Sequence, residues 1–172
     1  WPFEKAFGYS RELGYTGIEF APFTIEKNVL DISSARREEI RLQVQAADLE
    51  VVGLHWLLAF TEGYHLTSPD AAVRKRTSEY LQALAHLCGD LGGKVLVLGS
   101  PAQRNLLPGV TLEEGTQYAA DVIRAAVPAL QESDVTLALE PLGPQEGDFL
   151  LTCREGLELI EMVGSSNCQL HL

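Results

Sequence analysis

The sequence has few cysteines and no long apolar run, and each of these features argues against a class of protein. Its three cysteines, Cys88, Cys153 and Cys168, have no Cys-x-x-Cys spacing and support neither a disulfide framework nor a zinc knuckle. No apolar stretch approaches the roughly 20 residues that span a bilayer, and no signal peptide is visible. The sequence therefore predicts a cytoplasmic protein without a membrane partner.

Basic residues are also scarce, because 13 Lys and Arg stand against 24 Asp and Glu and give a formal charge of −11. A net negative surface repels phosphate backbones, so no nucleic-acid partner is expected without a local basic face. The run Arg74-Lys75-Arg76 lies in a helical pattern and is more simply explained as a solvated helix face.

Short apolar strands alternate with longer amphipathic helices along the chain. A hydrophobic content of 46% over 172 residues can bury a core, so a single domain over residues 1–172 is predicted. Ser68 is the predicted N-cap of the helix that ends at Gly92-Gly93, and Thr111/Glu114 and Thr152/Glu155 are predicted capping boxes. The predicted strands are 17–20, 51–56, 94–98, 135–140 and 168–172.

Strict alternation of strands and helices predicts a parallel α/β sheet, either doubly wound or part of a (β/α)8 barrel. No Gly-x-Gly-x-x-Gly follows any strand, so the fingerprint of dinucleotide binding is absent. The barrel also fits the polar residues at successive strand ends, where such folds carry their chemistry. These residues are Glu19, His55, Ser100, Glu140 and His171.

Glu140 is the strongest candidate for a functional residue. It follows the apolar run 135–139 and precedes Pro141, which cannot donate to a sheet ladder and therefore stops the strand. This places a carboxylate at the C-terminal tip of a buried strand, where metal binding or acid/base chemistry is expected. A salt-bridged strand-end carboxylate is the alternative interpretation.

Four further residues are predicted to bind substrate, each beside a plainer interpretation. Glu146 lies in a Gly-Pro-rich loop and is otherwise a solvated residue, and His55 at a strand end is otherwise a core histidine. Arg104 follows a strand, where a guanidinium can hold an anionic or hydroxylated substrate. Trp56, with Phe20 and Phe23, is a candidate apolar wall for a sugar and otherwise packs in the core.

Several segments together resemble the sugar phosphate isomerase/epimerase family, the xylose isomerase-like TIM barrels that include D-tagatose 3-epimerase-like enzymes and hydroxypyruvate isomerases. The most specific segment is Leu139-Glu140-Pro141-Leu142, with Glu146 six residues beyond Glu140. The likeness covers nearly the whole chain. The other segments are residues 14–19, 53–56, 67–70 with 73–74, and 98–101 with 103–104.

The resemblance implies a (β/α)8 barrel, of which residues 1–172 would hold about five strands without the first strand and the last ones. It also implies a divalent metal, usually manganese, with Mg2+, Co2+ or Zn2+ as alternatives. Glu140 matches the first of four metal ligands, and the other three would follow Leu172. The chain alone is therefore expected to be inactive.

The implied reaction is proton transfer next to a carbonyl of a small sugar or hydroxy-carbonyl substrate, through a metal-stabilised enediolate. Glu140 would bind the metal and act as a base, and Glu146 would hydrogen-bond substrate hydroxyls. A homodimer is compatible with this expectation. Two other interpretations stay open: an endonuclease IV-like DNA-repair barrel, which would need a positive face, and a degenerate barrel without catalytic function.

Overall fold

The computed structural model describes all residues 1–172, which form one parallel sheet covered by helices. The sheet has five strands in the order β1-β2-β3-β4-β5, and every neighbouring pair is parallel. This consecutive parallel order confirms the predicted α/β fold and the five-stranded part of a barrel. The strands are β1 Gly17–Phe20, β2 Glu50–Leu54, β3 Val95–Leu98, β4 Thr136–Leu139 and β5 Cys168–Leu170.

One α-helix precedes β1 and one lies between each pair of successive strands, and two short 3-10 helices, Pro22–Thr24 and Val29–Asp31, lie between β1 and the next α-helix. Neighbouring helices contact each other in chain order, with α3 packing against both α2 and α4. None of the helices is long and apolar enough to cross a membrane. The helices are α1 Phe3–Glu12, α2 Ser34–Ala46, α3 Ala71–Leu91, α4 Leu112–Glu132 and α5 Cys153–Val163.

The predicted N-cap of α3 is wrong by two residues. Asp70 caps the helix by accepting a hydrogen bond from the Ala72 amide at 2.8 Å. Ser68 Oγ accepts from the Asp70 amide at 3.2 Å instead, and its carbonyl binds Arg74. The Ser-Pro-Asp sequence thus forms a turn that leads into the helix, and Asp70, which caps a helix about as well as serine does, lies next to the first helical residue.

The two predicted capping boxes have different outcomes. Thr111 and Glu114 form the complete reciprocal box at the start of α4. At α5, Thr152 Oγ1 accepts from the Glu155 amide at 3.2 Å, as predicted. The Glu155 carboxylate, however, accepts from the Leu151 amide at 2.6 Å rather than from Thr152, so the second half of that box is wrong.

The core is a continuous cluster of apolar side chains from the strands and from the helices that cover them. Leu54, Leu96 and Leu137 from the sheet pack with Ile123 and Leu159 from the helices, all fully buried. Cysteines take part in it as small apolar residues. Burial raises the pKa of the Cys88 and Cys168 thiols to about 12, and the chain contains no disulfide.

The segments that follow the strands are longer than those that follow the helices. Residues 21–33, 55–70, 99–111 and 140–152 all leave the C-terminal edge of the sheet, whereas short turns close its other edge. The predicted strand 51–56 begins one residue late and ends two residues late, since β2 is Glu50–Leu54. Trp56 instead has φ 51°, in the left-handed region, at the start of such a segment.

Candidate functional site

Glu140 directly follows β4 at the C-terminal edge of the sheet, as predicted from the apolar run and Pro141. Its amide donates to the Leu98 carbonyl at 3.3 Å, which ties it to the end of β3. The side chain is half-buried, and no protein group donates a hydrogen bond to its carboxylate. The position of Glu140 is therefore set through its backbone, and its carboxylate is available for a ligand.

Gly99 makes room for the Glu140 carboxylate at the end of β3. A Cβ atom at position 99 would overlap Glu140 Oε2 and lie 3.1 Å from Glu140 Cδ. Residue 99 must therefore be glycine if Glu140 is to keep this side-chain conformation. The close approach explains why a glycine directly follows the apolar strand.

His55 and Glu19 form a pair at the ends of β2 and β1. His55 Nδ1 lies 3.5 Å from Glu19 Oε2, and both side chains remain more than one-third exposed, at 41% and 37%. The His55 amide also donates to the Phe20 carbonyl at 3.0 Å, which continues the strand pairing. Because β1 to β4 are parallel, this pair lies at the same edge of the sheet as Ser100 and Glu140, as expected.

An exposed aromatic group lies next to His55. Phe23 packs edge-on against Phe60 with centroids 4.8 Å apart and lies 6.1 Å from Trp56, whose ring is 6.1 Å from that of His55. Trp56 is 54% and Phe60 71% exposed. Phe20 is a core residue at 3% exposure, so for this residue the alternative interpretation, packing in the core, is the one that the structure supports.

The loop that carries Glu146 is tied to the loop that follows β3. Asp148 Oδ1 accepts from the Leu106 amide at 2.8 Å, and the Asp148 amide donates to Asn105 Oδ1 at 3.2 Å. Glu146 itself is exposed and its carboxylate accepts no hydrogen bond from the protein. We call these two hydrogen bonds, which join Asp148 to the neighbouring residues Asn105 and Leu106, the Asn105–Asp148 pair.

Arg104 has a different environment from the one its position in the sequence suggested. It is 1% exposed, and its guanidinium donates to the main-chain carbonyls of Leu98, Glu140 and Leu150. Burial lowers its pKa to about 10, although the nearby Glu140 and Glu146 carboxylates favour the charged form. Contact with a substrate stays a prediction for this residue.

The described residues do not form a metal centre by themselves. No group of three or more His, Cys, Asp or Glu side chains comes together with a geometry that could hold a metal ion. Glu140 offers one hard oxygen ligand without a protein partner, which suits a divalent cation but does not complete a site.

A model of the xylose isomerase-like TIM barrel family matches residues 7–172. The chain belongs to this family. The resemblance inferred from the segments around Glu19, His55, Arg104 and Glu140 is thereby confirmed. The five consecutive parallel strands are the part of the family barrel that this chain contains.

The xylose isomerase-like chain is 31% identical over 170 residues to L-ribulose 3-epimerase of Mesorhizobium japonicum, covering 98% of this chain and 54% of that protein. It thus spans about half the length of the curated relative that it matches. Two solved structures share its fold at lower identity. One is D-psicose 3-epimerase of Clostridium cellulolyticum H10 with D-tagatose, with a TM-score of 0.82 and 15% identity over 99% of this chain and 57% of that one. The other is AP endonuclease, family 2, of Brucella melitensis, with a TM-score of 0.76 and 19% identity over 100% of this chain and 63% of that one.

Four residues at the C-terminal edge of the sheet were not predicted from the sequence as site residues: Gly99, Asn105, Asp148 and Phe60. Gly99 was detectable as a glycine that directly follows a strand, since such a position often marks a close approach. The Asn105–Asp148 pair joins residues 43 positions apart, and nothing in the local sequence of either loop indicates the other. Phe60 carries no signal beyond its hydrophobicity.

Proposed function

We propose that this chain is the part of a sugar isomerase or epimerase that supplies a carboxylate base at the barrel mouth. The observation that carries the proposal is Glu140, an unpaired carboxylate directly after a buried parallel strand, in a chain related to L-ribulose 3-epimerase. An acid/base residue at that edge of the sheet is where barrel enzymes place their chemistry. The proposed substrate class is a small ketose or related carbonyl sugar.

In the proposed reaction Glu140 takes a proton from the carbon next to the substrate carbonyl. Return of a proton to the opposite face of the same carbon gives the epimer, and return to the neighbouring carbon gives the isomer. Glu146, exposed on its loop, hydrogen-bonds substrate hydroxyls. His55, held by Glu19, and the exposed Trp56 contact the rest of the sugar.

A divalent cation, manganese in the first instance, is part of this proposal. When bound, it would stabilise the negative charge that develops on the carbonyl oxygen as the proton leaves. This chain contributes one ligand, Glu140, and the remaining ligands would come from outside residues 1–172 in a protein of the relatives' length. We accordingly propose that residues 1–172 alone do not turn over substrate.

A cytoplasmic location and a homodimeric assembly are also parts of the proposal. Three free cysteines, two of them buried, are what a reducing cytoplasm allows. A homodimer is compatible with the fold. No observation on the described residues favours an endonuclease or a degenerate, non-catalytic barrel over the epimerase.

The deciding experiment uses Glu140→Gln in a protein of the relatives' length that carries this chain. With Mn2+ and L-ribulose or D-psicose in D2O, the unmodified protein should exchange the hydrogen at carbon 3. Glutamine keeps the shape but loses the charge and the basicity, so exchange should fall by about 10³-fold, equivalent to about 4 kcal/mol of transition-state stabilisation. NMR loss of the C3 proton signal measures it.

Glu146→Gln is the companion variant, because it also replaces one carboxylate by its amide. We expect it to raise KM or lower kcat while its Mn2+ content stays near that of the unmodified protein. Near-normal exchange in Glu140→Gln would show that Glu140 is neither base nor ligand.

A further inference from the structure

Arg104 lies buried where the ends of β3 and β4 meet. Its Nη1 donates to the Leu98 carbonyl at 3.2 Å and to the Glu140 carbonyl at 2.7 Å, and its Nη2 reaches the Leu150 carbonyl at 3.5 Å. These carbonyls belong to the last residue of β3, to the residue after β4 and to the far end of the loop that carries Glu146. One guanidinium therefore connects both candidate carboxylates to the sheet.

Two of the three carbonyls that Arg104 binds would have a hydrogen-bond donor without it, so satisfying them explains only part of why Arg104 is buried here. The Leu98 carbonyl also accepts from the Glu140 amide at 3.3 Å, and the Leu150 carbonyl accepts from the Leu142 amide at 3.2 Å. Only the Glu140 carbonyl has Arg104 as its sole hydrogen-bond donor. Arg104 Nε, in turn, is buried without a hydrogen-bond partner, which is costly for a charged group.

The contacts of Arg104 bear on the position of Glu140. The Glu140 carboxylate has no protein donor to hold it, so its position depends on the placement of the Glu140 backbone and on the space beside Gly99. Arg104 binds the Glu140 carbonyl at the shortest of its three distances. Its planar fork spans acceptors at the end of β3 and at both ends of the segment after β4, which a lysine ammonium cannot do in the same geometry.

We propose that Arg104 is a positioning residue, which fixes Glu140 and the loop of Glu146 so that both carboxylates face the same substrate without Arg104 itself touching it. This inference rests on the proposed epimerase function for its kinetic consequences. Its structural consequence, order in residues 141–150, does not depend on that function.

The test compares Arg104→Lys and Arg104→Met with Arg74→Lys in a protein of the relatives' length. Arg74 is the matched control because its Nη1 also binds two main-chain carbonyls, those of Ser68 and Pro69, at the start of α3. The measurements are amide hydrogen exchange of residues 141–150, Mn2+ affinity by electron paramagnetic resonance, and kcat and KM for L-ribulose.

We expect both Arg104 variants to exchange residues 141–150 faster, to bind Mn2+ more weakly and to lose roughly tenfold or more in kcat with KM changed by about twofold or less. Arg74→Lys should leave all of these values near those of the unmodified protein. Arg104→Lys keeps a positive charge at this buried position. It therefore provides the test if the Arg104→Met protein does not fold.

Three results would overturn the proposal. A raised KM with unchanged kcat and unchanged exchange of residues 141–150 would make Arg104 a substrate contact. A lower melting temperature alone, with kcat and exchange preserved at 25 °C, would make it a purely structural residue. If the unmodified protein epimerises no sugar, the proposed function fails. In that case, faster amide hydrogen exchange of residues 141–150 in Arg104→Lys still supports the positioning role of Arg104. Unchanged amide exchange refutes it.

Discussion

At the scale of single residues, the candidate site depends on what lies next to Glu140 as much as on Glu140 itself. The carboxylate occupies space that any side chain at position 99 would fill, and its main chain is held by Leu98 and Arg104. Glu140 was predictable because an apolar run that ends at a proline is a local pattern. The buried environment of Arg104 was not, because its acceptors lie up to 46 residues away in the sequence.

Gly99→Ala tests this close approach. The overlapping atom is the far end of a flexible side chain, so the carboxylate should rotate away and the fold should survive with little change in melting temperature. A carboxylate displaced by about 1 Å or more should cost roughly 10²-fold in kcat. A crystal structure of the variant and the C3 exchange assay measure the two effects.

The control is Gly8→Ala, because Gly8 lies in α1 and an added Cβ there would have no neighbour within 4 Å. It should keep full activity and gain slightly in stability, since alanine favours a helix. An active Gly99→Ala protein whose carboxylate had moved would show that the position of Glu140 described above is not the functional one.

At the scale of elements, the sequence predicted helices and strands better than the segments between them. Apolar periodicity and capping residues are local, so all five strands and their parallel order followed from the pattern. The long segments at the C-terminal edge depend on contacts between elements. The Asn105–Asp148 pair is such a contact, since it joins the segment after β3 to the segment after β4.

Asp148→Ala should loosen the loop that carries Glu146. The change removes the acceptor of the Leu106 amide, a hydrogen bond that contributes about 0.5 kcal/mol at this exposed position. We expect faster amide exchange or proteolysis in residues 143–150, with a several-fold rise in KM. Asp148→Asn keeps an oxygen acceptor at the same position and should behave like the unmodified protein, so equal loosening in both variants would rule out this hydrogen bond as the cause.

At the scale of the whole molecule, the distribution of charge bears on the choice between a sugar and a nucleic acid as partner. Most of the 13 Lys and Arg side chains are committed to acidic neighbours or to carbonyls. Within the run 74–76, Arg74 binds two carbonyls and stacks on Tyr118 at 4.3 Å, and Lys75 pairs with Glu79. The side chains of this run thus make local contacts, only Lys75 has an acidic partner, and their three positive charges stand against a formal net charge of −11.

This charge distribution predicts that the chain does not bind DNA, although its fold is shared with a protein named as an AP endonuclease. With a formal charge of −11 and seven of its 13 Lys and Arg side chains in ion pairs, the protein should repel a phosphate backbone. The measurement is fluorescence anisotropy of a labelled duplex containing an abasic site, at about 50 and 200 mM salt. A nuclease surface that contacts several phosphates would bind at low salt and lose roughly 10³-fold or more in affinity at high salt. We expect no binding at either concentration, and salt-sensitive binding would favour the DNA-repair alternative over a sugar epimerase.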